Sequence, residues 1–218
     1  MELFIKDKKL NKTDKIQLFI SYLLQLILIL AIIFSLYRQN WLNVFTITGI
    51  LFITLLPAII RHSYKVHLPL ELDLIVIIFV FASLFLGEVR GYYTRFWWWD
   101  VLLHTSSGIL FGFAGFFLVY ILNEEKKVHV NLKPFFVFLF SFAFANMIGV
   151  IWEIFEFSMD SFFAFNMQKS GLIDTMWDLI VNTLGSLVVA TLGFFYMKKS
   201  GSFFERGVNK FVKRKKKS

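Results

Sequence analysis

An all-α, polytopic membrane bundle of about six transmembrane helices is the fold class this sequence predicts. Three observations predict it. The chain is 57% hydrophobic and 19% aromatic with only 17% charged residues, a balance outside that of soluble domains. Its apolar runs reach or approach the length that crosses a hydrocarbon core at about 1.5 Å per helical residue. Lys and Arg gather in alternate connections, as they do when one side faces the cytoplasm.

The first span, about 17–37, follows a Lys-rich start (Lys6, Lys8, Lys9, Lys12, Lys15) that superficially resembles a signal peptide. It ends at Tyr37-Arg38-Gln39-Asn40 without a small-residue cleavage pattern, so it reads as a retained helix. The second span occupies about 41–60 and the third about 70–87. The third is the weakest, because Glu71 and Asp73 sit in its first turn. Spans four to six fall at about 100–122, 134–158 and 174–197, followed by a basic tail over 198–218. No segment remains large enough for a soluble domain, and residues 1–218 read as a single membrane domain.

Six spans put the N-terminus, the 61–69 and 123–133 connections and the C-terminus on one side. All 23 Lys and Arg fall there except Arg38, Arg90, Arg95 and Lys169. Both termini are therefore expected in the cytoplasm, in a bacterial inner or plasma membrane. The net charge of +8 then reflects topology, and nucleic-acid binding is not expected. The run Lys213 to Lys217 would enforce that topology or lie against anionic headgroups. Trp97, Trp98, Trp99, Tyr92, Tyr93, Trp152 and Trp177 fall near the outer ends of spans and read as an interfacial belt. The absence of cysteine excludes disulfides, thiolate chemistry and Cys-based metal sites.

Three polar clusters interrupt the apolar spans: Asp100-x-x-x-His104, Glu153-x-x-Glu156-x-x-x-Asp160 and Asp174-x-x-x-Asp178-x-x-x-Asn182. Ionisable groups in hydrocarbon are costly, which makes them functional candidates by default. The spacings keep each set on one helix face, and the topology brings them to similar depth in the outer leaflet. So many carboxylates need compensation, and a divalent cation supplies it economically. His104, Glu153, Glu156 and Asp178 are the candidate metal ligands, with Asp100, Asp174 and Asn182 as further ligands or supports. Oxygen-rich ligation with one imidazole suits Mg2+ or Mn2+ and allows Zn2+ or Fe2+.

Such a metal could activate water or polarise a phosphoryl oxygen, with Glu153, Glu156 or Asp178 as base. Arg90 and Arg95 could then grip the anionic headgroup of a membrane lipid. The expected function is hydrolysis or transfer on a phospholipid or lipid-linked phosphate. The same acids could instead serve an ion- or proton-coupled transporter, or fix helix packing. The inner halves of spans four and six, Gly108 to Tyr120 and Leu184 to Phe195, are almost wholly apolar, which argues against a transport path. Ser106, Ser107, Gly108, Gly112, Gly115, Gly149, Gly185 and Ser186 read as close-packing positions, and Asn146 as an interhelix hydrogen bond. His62, His67 and His129 read as solvated connection residues.

The ordered set Trp99-Asp100-x-x-x-His104-x-x-x-Gly108, Trp152-Glu153-x-x-Glu156 and Asp174-Thr175-x-x-Asp178 resembles the YjdF-like family of bacterial inner-membrane proteins. The elements around Asp100, His104, Asp178, Asn182 and Gly185 are more loosely similar to VanZ-like proteins. The resemblance covers roughly residues 70–197; relatives often have Phe after the motif His, where this chain has Thr105. The VanZ likeness implies a link to the cell envelope or antibiotic resistance, with or without catalysis, and an outward-facing site.

Overall fold

The apolar runs become helices because a backbone in hydrocarbon must satisfy its N–H and C=O groups within its own segment. The computed structural model describes residues 11–64, 70–124 and 132–199, with the backbone alone at 60–64, 120–124 and 199. The side chains of His62, His67 and His129 and the tail from Lys210 lie outside the described residues. In chain order the helices are α1 (Lys12–Tyr37), α2 (Trp41–Tyr64), α3 (Leu70–Val80), the short α4 (Tyr92–Arg95), α5 (Trp97–Glu124), α6 (Pro134–Phe163) and α7 (Leu172–Lys199). Among the described residues, six segments are long and apolar enough to cross a membrane: Lys12–Tyr37, Trp41–Ile59, Leu70–Val89, Trp97–Val119, Pro134–Phe163 and Leu172–Lys198.

Local chemistry sets the ends. Asn11 caps α1 by accepting from the Asp14 N–H at 2.7 Å, and the Asp14 carboxylate accepts from the Asn11 N–H in return, a reciprocal capping box. Asn40 opens α2 by accepting from the Asn43 N–H at 3.1 Å. Pro134 at the first position suits α6, since its missing N–H has no partner to lose there. The weak third span is lengthened by a π-helical stretch, Phe81–Val89, which carries it from Leu70 to Val89. Its Glu71 and Asp73 occupy the first turn, where acids suit the helix dipole.

Packing divides the helices into two compact units, one running to Phe96 and the other from Trp97. The first unit centres on Leu28, Ile47, Ile50, Phe81 and Phe85. In the second, α5, α6 and α7 pack pairwise through small residues. A Cβ added at Gly108 would strike the backbone carbonyl of Asn182, and one at Gly185 would come 2.5 Å from the Thr105 carbonyl oxygen. Small residues of this kind let helix backbones close to contact in lipid. Large apolar side chains elsewhere on α5 to α7, such as Leu118, Ile151, Phe157 and Leu192, stay exposed, as a lipid-facing surface requires. Gly108→Ala should cost about 1–3 kcal/mol through overpacking, seen as a lower Tm in detergent. Gly49→Ala, with open space around the added methyl group, should leave Tm unchanged or slightly raised.

Candidate metal centre

The three-helix unit turns the polar faces of α5, α6 and α7 toward one another. His104 of α5 stands between all three helices. Its Nε2 lies 3.4 Å from Asp100 Oδ1, one turn earlier, and 3.9 Å from Asp178 Oδ1 of α7. Its Nδ1 faces Glu153 Oε1 of α6 at 3.8 Å. His104, Glu153 and Asp178 are only 8%, 5% and 3% exposed. One ligand atom from each of Asp100, His104 and Asp178 lies within 4.8 Å of the others.

Two ligands held at about 2.1 Å from one metal can stand at most about 4.2 Å apart. The two separations at Nε2 meet that condition. Both Glu153 oxygens are buried without a hydrogen bond of good geometry, although the Thr175 hydroxyl faces the carboxyl group. A buried polar group left in that state is costly, and a completed site would relieve it.

The other expected residues separate in role. Glu156 is buried one turn along α6 and accepts from the indole N–H of Trp152 at 2.9 Å. Trp152 is thus more than the belt residue its position predicts. Asp174 lies half-buried one turn before Asp178, outside the three-residue group. Asn182, one turn deeper than Asp178, accepts from the Ser107 hydroxyl at 3.1 Å and points its amide at the Ala145 carbonyl, 3.5 Å away. Its carboxamide is committed to joining the three helices. Asp160 turns away to accept the Met167 and Gln168 N–H groups, closing the α6–α7 connection.

Lys169, in that connection, brings its ammonium 3.6 Å from Asp100 Oδ2. It was legible only as the sole basic residue between 134 and 197, and only the folded connection returns it to the site. Arg90 and Arg95 belong to the first unit.

Hydrogen bonds between the helices continue along the bundle. Asn146 donates to Ser186 at 3.0 Å and accepts from Thr183 at 2.6 Å, and the Ser141 hydroxyl donates to the Gly112 carbonyl. Asn146 is the interhelix link its position predicts. Beside the almost wholly apolar inner halves of α5 and α7, α6 supplies the polar groups Asn146 and Ser141.

No solved structure matches the chain. An uncharacterized protein of Thermotoga maritima is 28% identical over 125 residues, which cover 57% of this chain and 62% of that relative. The match thus spans about three fifths of the relative's length. Residues 18–199 match the family described as "Predicted membrane protein (DUF2238)", and the chain belongs to that family of membrane proteins.

Proposed function

We propose that the chain is a metal-dependent hydrolase or transferase acting on a phospholipid or lipid-linked phosphate. It would sit in the bacterial cell membrane with both termini cytoplasmic and the site in the outer leaflet, as the Lys and Arg bias supports. The observation that carries the reading is the convergence of half-buried Asp100 with buried His104 Nε2 and Asp178, beside a buried Glu153 carboxyl group that lacks a hydrogen bond of good geometry. Asp100, His104 and Asp178 are the proposed ligands. Glu153, facing Nδ1, orients the ring, the arrangement by which carboxylates fix metal-binding histidines. Mg2+ or Mn2+ suits the oxygen-rich set, and Zn2+ or Fe2+ is compatible with the imidazole.

A bound cation would stabilise charge building on a phosphoryl oxygen. Glu153 and Glu156 are the carboxylates left to take the proton of an attacking water or alcohol. The phosphorus–oxygen bond to the leaving group breaks as the new one forms, and the proton passes to the departing oxygen. The motif set favours YjdF-like kinship and, more distantly, an envelope role like that of VanZ-like proteins.

Elemental analysis of detergent-purified protein tests the metal reading. Wild type should carry one Mn, Zn or Fe per chain, or gain Tm with added Mg2+, and His104→Ala should lose either signal. A wild type that carries no metal and responds to none of these ions would sink it. A second reading, an ion- or proton-coupled transporter, is supported by the polar ladder from Asn182 through Asn146 to Ser141. Proton or cation flux in liposomes, abolished by Asp178→Asn in metal-free protein, would favour it.

A further inference from the structure

The first unit carries a cavity of about 390 Å³ between α1, α2 and the π-helical stretch, within the roughly 300–1,000 Å³ typical of ligand sites. Its apolar lining comes from Leu30, Ala31, Phe34, Ile47, Phe85 and Val89. The polar lining is of a different kind: Arg38 and Arg90, both exposed, with Ser35, Asn40 and Asn43. None of the lining residues is acidic. Two guanidinium groups therefore meet an apolar wall that has no carboxylate among its lining residues.

The backbone holds this arrangement. Arg38 closes α1, followed by Gln39 at a positive φ of 55° and Asn40, whose N–H donates to the Ser35 carbonyl at 2.9 Å. Arg90 closes the π-helical stretch, its N–H reaching back five residues to the Phe85 carbonyl at 2.9 Å. That wide turn sets Phe85, Val89 and Arg90 on the same cavity. π-Helical turns are rare and often mark functional sites.

A ligand for such a lining needs an anionic head and an apolar body. Arginine binds phosphate through paired, charge-assisted hydrogen bonds, and the Asn40 and Asn43 side chains add polar partners. Phe34, Leu30 and Phe85 offer contact area to a hydrocarbon chain. We propose that this cavity binds an anionic phospholipid, its phosphate held by Arg38 and Arg90 and an acyl chain laid along the apolar wall. The assignment does not rest on the metal centre of the second unit and can fail or stand without it.

The test is binding of dioctanoyl phosphatidylglycerol to the full chain in neutral detergent. Dioctanoyl phosphatidylcholine and inorganic phosphate serve as comparison ligands. Phosphatidylglycerol should bind saturably, with the other two at least about tenfold weaker. Each of Arg38→Gln and Arg90→Gln should weaken it about tenfold, and the pair about a hundredfold, whereas the Lys pair, which keeps the charge but not the paired hydrogen bonds, should fall between wild type and the Gln pair. Ala31→Phe, which fills the apolar wall while leaving both arginines, should also abolish saturable binding; it reports on the site even where the double Gln variant does not fold. Equal binding of the two lipids, or phosphatidylglycerol binding unchanged in the double Gln or Ala31→Phe variant, would overturn the proposal. Inorganic phosphate binding as tightly as phosphatidylglycerol would also overturn it, reducing the site to one for free anions.

Discussion

Asp178→Ala is expected to remove the thermal protection that a divalent cation gives this protein. A ligand binding only the folded state stabilises it by about 2.7 kcal/mol at a hundred times its Kd, so wild type should show a clear rise in Tm with added ion. The variant should show almost none at the same concentration, because Asp178 Oδ1 is one of the two oxygens flanking His104 Nε2. Its stability without metal should change little, since removing an acid from a crowded acidic site offsets the lost contact. Differential scanning of both proteins with and without Mg2+, Mn2+ and Zn2+ makes the measurement. An equal metal-dependent shift in both would remove Asp178 from the site.

Glu153→Leu should move stability and metal affinity in opposite directions. The Glu153 carboxyl group is buried with both oxygens lacking a good hydrogen bond, and relieving such a burden is worth about 1–3 kcal/mol. Leu fills similar space without polar atoms, so the metal-free variant should melt higher than wild type. Metal affinity should fall about 10–100-fold, the usual cost of removing the group that orients a ligating histidine. Glu153→Gln keeps the shape and one acceptor, and should fall between the two. Were the cluster only a packing device, Glu153→Leu would lower Tm and leave metal response untouched. A stabilised variant with impaired function is the pattern expected where a protein gives up stability for a site.

The helical spans were legible because length and apolarity alone specify a membrane-crossing helix. That the polar faces of α5, α6 and α7 meet was legible as well, whereas the set around His104 was not: Glu156 was expected there as a ligand and Asp100 only in support. Spacings of three, four and seven place residues on one face, and alternating spans fix which helix ends meet. Rotation of each helix about its axis was not legible. It depends on contacts such as Gly108 against the Asn182 backbone and Gly149 against the Asn182 amide, which join residues far apart in the chain. That rotation committed Asn182 to Ser107 and gave Glu156 to Trp152.

Connections were the least legible part, because their paths follow backbone hydrogen bonds rather than apolar period. Asp160 was drawn into closing the α6–α7 turn, and the same turn returned Lys169 to Asp100. Sequence by itself determined the membrane class and the number of spans, since these depend on composition and periodicity. Tertiary structure alone decided which acids surround His104, which amides join helices, and that Arg38 and Arg90 line one cavity. Those outcomes depend on close contacts between distant segments, which no local pattern encodes.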